Sequence, residues 1–169
     1  MTIKMRMKKK PAFPASEWSD KSYEALIRLW ILRLFVPLGG SRGFISSFGY
    51  SNDHLAHYLG LLPTNEQFDM KLAMTELRNQ HTQAERRRNS AALPETLARN
   101  IARYSELMGW SKADEAVTAF TVLMETDPRL ETACGSIENV TTAKLIDVLS
   151  GVLDIDRQDI RNSALPKSG

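Results

Sequence analysis

Residues 21–62 read KSYEALIRLWILRLFVPLGGSRGFISSFGYSNDHLAHYLGLL, and this stretch decides the fold. Apolar side chains in its first half recur at spacings of three and four, which is the spacing of one face of an α-helix. The residues of this face are Tyr23, Leu26, Ile27, Trp30, Ile31, Leu34 and Phe35. The intervening positions are largely apolar too, with Arg28 and Arg33 as interruptions. Because these arginines disfavour a membrane span, we predict the central helix of a domain, ended by the proline and glycines at 37–40.

The composition is that of a globular protein. The 169 residues are 43% hydrophobic and 25% charged, enough for one domain, or two very small ones, with a sizeable core. A net charge of +2 is too small to require a nucleic-acid partner. The single cysteine excludes an intrachain disulfide and suits a reducing compartment. The N-terminus has no apolar run typical of a secretory signal, so we expect a cytoplasmic protein without membrane association.

The pattern along the chain predicts an all-α fold, a compact multi-helix domain with helix–turn–helix corners. We expect a disordered basic tail at 1–16 and an N-terminal helical half at 17–80 that contains the central helix. An exposed linker or helix end at 81–92 then leads to a C-terminal helical half at 93–169. No stretch alternates as a half-buried strand does. The segment 42–50 is the one place where a short β-hairpin would fit.

Local signals place several helix ends. Thr64, with Gln67 three residues later, predicts the start of a helix after Pro63. Further on, apolar residues at helical spacing predict another helix, and these are Leu97, Ile101, Tyr104, Leu107 and Met108. Similar short segments at 58–61, 107–110 and 152–155 each end a helix before a capping residue, which predicts three corners.

The residue pattern contains no recognisable catalytic, cofactor or metal motif. His54 and His57 with Asp53 provide too few ligands for a structural zinc site, so we interpret them as ordinary polar side chains. The glycine-rich segment 39–43 follows a helix and lacks the lysine and hydroxyl of a phosphate-binding loop, so we interpret it as a structural elbow. We therefore predict no catalytic residues, cofactor or metal.

Nucleic-acid binding is the main alternative function. The segment 56–60 has the alanine and glycine spacing of a DNA-binding helix-turn-helix, although Glu66 and Asp69 put negative charge on its second helix. Weak, nonspecific phosphate contact by the basic tail is also compatible with the sequence. The candidate contact residues for a protein partner or a nucleic acid are Lys8, Lys9, Lys10, Arg42, Asn65, Gln67, Lys71, Arg86, Arg87 and Arg88.

Several segments resemble, in the same order, the N-terminal region of a group of bacterial AAA-type ATPases. They are LIRLWILRLFVPLGG, RGFI, DHLAHYLGL, ERRR at 85–88, LP and LARN at 93–100, and the terminal LIDVLSGVLDI with SALPKSG. The resemblance spans nearly the whole chain after the tail and rests on packing motifs. In such proteins the ATPase module lies further along the chain. This chain stops at Gly169 without a Walker motif, so ATP hydrolysis is not carried over to any of its residues.

We therefore expect a non-catalytic α-helical module that binds a partner or substrate protein, similar to the N-terminal domain of an AAA-type ATPase. Oligomerisation would come through an ATPase module that is not in this chain. A helical DNA-binding regulator that uses the corner at 51–75 and the basic tail is the alternative.

Overall fold

The computed structural model describes residues 20–164, leaving out the side chain of Ala164. Within this range the chain forms nine α-helices, one 3₁₀ turn and one two-stranded antiparallel hairpin. The elements are α1 Lys21–Phe35, α2 Ser41–Phe44, β1 Ile45–Ser46, β2 Gly49–Tyr50, α3 Asp53–Tyr58, α4 Met70–Arg86, the 3₁₀ turn Arg88–Ser90, α5 Glu95–Met108, α6 Lys112–Thr126, α7 Pro128–Cys134, α8 Thr142–Leu153 and α9 Arg157–Ala164. The predicted all-α class is confirmed, and the hairpin lies within the predicted segment 42–50. The predicted tail at 1–16 lies outside the described residues.

Helix α1 is the centre of the fold, as its apolar surface predicts. All seven residues of the predicted apolar face are buried, and Trp30 is only 6% exposed. The helix packs against α4, α7 and α8, so its neighbours come from both predicted halves of the chain. The core that forms around it is one cluster reaching as far as Ile160 on α9. The division into two halves stays a prediction.

Two of the three predicted corners are tight turns between helices. Three residues join α5 to α6 and three join α8 to α9, and Gly109 and Asp154 end the preceding helices in the left-handed conformation. The corner after α3 is different, because residues 59–69 separate α3 from α4.

The predicted start of a helix at Thr64 is wrong. Helix α4 begins at Met70, and the side chain of Asp69 caps it by accepting from the amides of Lys71 and Leu72. The reason lies in the loop before α4, where the Asn65 side chain accepts a hydrogen bond from the Gln67 amide at 2.9 Å. Such a local bond offers the backbone an alternative to the first helical turn.

A buried polar cluster ties α1 to the start of α7. The Asp127 carboxylate, only 1% exposed, accepts hydrogen bonds from the Tyr23 hydroxyl at 2.6 Å and from Arg129 Nη2 at 2.8 Å. Arg129 also donates to Glu24 at 2.7 Å and lies over the Tyr58 ring, 4.5 Å from its centroid. Burial alone would raise the pKa of Asp127, but the bonds from Arg129 and Tyr23 outweigh burial and hold that pKa below its ordinary value.

A second polar contact joins α1, α4 and α8. Arg33, buried on α1, donates from Nε and Nη2 to the two Glu85 oxygens at 2.6 and 3.0 Å, and from Nη1 to the Val152 carbonyl at 2.7 Å. The hydrogen bonds from Arg33 lower the pKa of Glu85, more than its partial burial raises it. Glu85 lies in the last turn of α4, within the segment 81–92 predicted as an exposed linker or helix end, and this contact leaves it half-buried.

These two carboxylates predict how the free energy of unfolding depends on pH. Both have a lowered pKa in the folded state, so each stabilises the fold above its ordinary carboxyl pKa of about 4 and loses that contribution as the pH falls through the folded value. We expect a fold of nearly constant stability near neutral pH that weakens below about pH 4. Urea denaturation of the parent and of Glu85→Gln across this range checks it. The variant should lose less stability in acid, and an equal loss would contradict a role for Glu85.

Candidate protein-binding surface on α5

The surface is built on α5, an amphipathic helix whose first half belongs to the core. Pro94 precedes its first turn, where a fixed φ suits a helix start. Leu97 and Ile101, at 6% and 7% exposed, face the core, and the helix packs along α6. The helix therefore has the ordinary apolar stripe of a surface helix over its first two turns.

The same apolar stripe is exposed in the second half of α5. Tyr104, Leu107 and Met108 are 60%, 78% and 67% exposed, although Tyr104 and Met108 continue the line of Leu97 and Ile101. We call these three residues the α5 patch. Single exposed apolar residues are common, but a contiguous group at the end of a core-facing stripe is typical of an interaction site. Within the described residues, the first half of this apolar face is therefore covered by the core and the second half is exposed to solvent.

The α5 patch is held in place by the corner that follows it. The Tyr104 ring stacks on the Trp110 ring with 6.3 Å between centroids, and the Ser105 hydroxyl donates to Glu115 on α6 at 2.5 Å. That bond lowers the pKa of the Glu115 carboxyl, with help from Lys112. Ser111 and Asp114 then close a capping box at the start of α6. A surface fixed in this way loses little conformational entropy when a partner binds.

A shallow cavity lies directly beside the patch. It has a volume of about 270 Å³ and is lined by Asn100, Arg103, Tyr104 and Leu107. The exposed Arg103 makes no ion pair within the part of the chain that the structure describes. The nearby arginine Arg99 is 3.9 Å from Glu95, which leaves Arg103 as the cation of this cavity. Apolar surface and one positive charge therefore adjoin on the same side of α5.

The structure does not bring the predicted contact residues into one surface. Lys8, Lys9 and Lys10 lie outside the described residues. Arg42 is exposed on α2, where it lines a polar cavity of about 270 Å³ together with Asn139 and Lys144.

The remaining predicted contacts divide between the two ends of α4. Asn65 and Gln67 are exposed in the loop before α4, and Lys71 is in its first turn. Arg86, Arg87 and Arg88 lie at the other end, where Arg88 is 3.5 Å from Asp154. The rise of a helix separates the two groups by about 22 Å. A DNA-binding corner has a turn of about three or four residues, whereas residues 59–69 stand between α3 and α4 here.

Two further features concern metal and membrane. Between residues 20 and 164, no group of three or more His, Cys, Asp or Glu side chains is arranged to hold a metal ion. In the same range, no helix combines the length and the apolar character that crossing a bilayer requires.

Sequence reasoning placed Tyr104, Leu107 and Met108 on a helix but did not identify them as a site. Periodicity shows which residues share a face, and it does not show whether another element covers that face. One signal was available: the apolar spacing continues up to Gly109, while the next helix begins only three residues later. Because α5 continues right up to this tight corner, its last turns extend beyond the elements that cover its first turns.

Comparison of the chain with protein-family models, with curated proteins and with solved structures finds no match.

Proposed function

We propose that this chain is a non-catalytic protein-binding module that recruits a partner or substrate protein through the α5 patch. The observation that carries the proposal is the break in exposure along one helical stripe, from 7% at Ile101 to 67% at Met108. Covering this surface is favourable because apolar area leaves water.

The size of the patch supports a functional role. Three large side chains that are exposed by three fifths or more offer on the order of 400 Å² of surface. That is the size of the largest patch on many monomeric proteins, and such patches are often interaction sites. Depletion of charged residues is the other sign of an interface core, and none of Tyr104, Leu107 and Met108 is a charged residue type.

The resemblance to the N-terminal region of AAA-type ATPases supports the same role. A module of that kind binds the protein on which a motor acts, in the cytoplasm, and needs no nucleotide or metal of its own. In this proposal the chain itself hydrolyses no ATP. The alternative is a DNA-binding regulator. The distance between Asn65 and Gln67 on one side and the arginines at the end of α4 on the other does not support it.

The test is site-directed photocrosslinking in the cells that make the protein. A photoreactive benzoylphenylalanine at the exposed position Asn100 stands beside the α5 patch and should capture a defined partner protein. Adding Leu107→Glu should reduce that product about tenfold or more, the effect of losing roughly 1.4 kcal/mol of binding energy. Thr121→Glu puts the same charge on an exposed position of α6 and is the matched control.

Two results would contradict the proposal. One is a captured partner whose yield is the same with and without Leu107→Glu. The other is a yield that Thr121→Glu lowers as much as Leu107→Glu does. Circular dichroism of both variants confirms that their helices are intact.

A further inference from the structure

We infer that the segment recognised by the α5 patch is a short amphipathic helix with an acidic residue beside its apolar stripe, whose carboxylate enters the adjoining cavity and pairs with Arg103. This inference rests on the proposed function and adds the chemistry of the partner. It is carried by the cavity beside the patch and by the charges around it.

The positions of the charged groups decide the sign of the partner. At about 100° per residue, Arg103 lies only about 40° from Leu107 around the α5 axis, so the cation borders the patch. Glu106 lies further round the helix than Arg103, about 100° from Leu107. It neighbours Arg103 at about 60°, but the described residues show no ion pair between the two side chains. The other nearby carboxylates have cations of their own within α5 and α6, since Glu95 is 3.9 Å from Arg99 and Glu115 is 2.9 Å from Lys112. The edge of the patch is therefore positive.

The cavity gives that charge a defined place. The Asn100 amide and the Arg103 guanidinium supply hydrogen-bond donors, while Tyr104 and Leu107 supply apolar walls. A guanidinium binds a carboxylate through two parallel hydrogen bonds, which fixes the direction of approach as well as the sign. A carboxylate one turn away from an apolar side chain on a partner helix matches this arrangement.

The area of the patch decides between a helix and a second copy of the chain. Stable protein–protein interfaces bury about 800 Å² on each partner, roughly twice what the α5 patch and its cavity offer. A single amphipathic helix needs less, because its few apolar residues at spacings of three and four dock along one groove. The expected binding is weak and reversible, as suits recruitment.

The experiment uses two synthetic helical peptides with identical leucines at positions i, i+3, i+4 and i+7. Glutamates flank the leucines in one peptide and lysines flank them in the other. Fluorescence anisotropy with the full chain should show that the acidic peptide binds at least about tenfold more tightly than the basic one. Arg103→Glu should reverse this order, and Leu107→Glu should remove binding of both. Arg99→Glu makes the same change one turn earlier and should alter the ratio by less than about twofold.

The outcomes separate this inference from the proposed function. Equal binding of the two peptides, or an Arg103→Glu variant that keeps the acidic preference, would overturn the inference. If neither peptide binds while the crosslink at Asn100 persists and depends on Leu107, the inference fails and the proposed function stands. Self-association seen by analytical ultracentrifugation and removed by Leu107→Glu would make a second copy the occupant and would also overturn the inference.

Discussion

Asp127→Asn is expected to lower the free energy of unfolding by about 3–5 kcal/mol, the usual cost of breaking a buried ion pair by removing one partner. The substitution keeps the size of the side chain and an oxygen that can still cap α7. It removes the charge that Arg129 and the Tyr23 hydroxyl face at 2.8 and 2.6 Å. Among the residues that the structure describes, Arg129 would then keep only Glu24 as an ionic partner.

Asp69→Asn is the matched control for this prediction. Asp69 also caps a helix with its side chain, at the start of α4, but it is exposed and pairs with no cation between residues 20 and 164. Its replacement should change stability by less than about 0.5 kcal/mol. Urea denaturation of the parent and both variants near neutral pH measures the difference. Equal effects of the two substitutions would mean that the charge of Asp127 adds nothing beyond its capping role.

Trp30→Ala should also cost about 3–5 kcal/mol, because it deletes a large buried side chain and leaves a cavity. Trp30 is nearly inaccessible and meets the Phe120 ring edge to face with 5.3 Å between centroids. The loss is a large part of the 5–15 kcal/mol that stabilises a typical domain. Trp30→Phe keeps an aromatic ring against Phe120 and should cost clearly less. If Trp30→Ala unfolds at the same denaturant concentration as the parent, the contact between α1 and α6 contributes little to stability.

The sequence pattern predicted the structural features that depend on the order of neighbouring residues along the chain. The spacing of apolar residues from Tyr23 to Phe35 located α1 and its burial, because a helix apolar on most sides has to be surrounded. The segment 42–50 was correctly identified as the place for a hairpin. The start of α4 was misplaced, because the Thr64 hydroxyl lies against Asp53 and the Gln67 amide bonds to the Asn65 side chain, so the predicted cap does not form.

The candidate site depends on longer-range information. Ile101 and Met108 are both apolar and lie within about 20° of each other around the same helix, yet the first is buried and the second is exposed. That difference is set by where α6 and the core end, and one helix does not encode it. Arg103 likewise becomes a candidate contact residue because it lines the cavity beside the patch, and this cavity forms only once α5 is complete.

The bond from Arg33 to the Val152 carbonyl has a consequence for synthesis on the ribosome. It joins residues 119 positions apart, and the α7 and α8 helices that cover α1 are made long after it. At 5–20 residues per second, about 6–24 s pass between translation of Arg33 and of Val152. During that interval α1, which has more buried residues than any other described helix, lacks the cover that α7 and α8 provide. We therefore expect the nascent chain to be most prone to aggregate, and most in need of a chaperone, before its second half emerges.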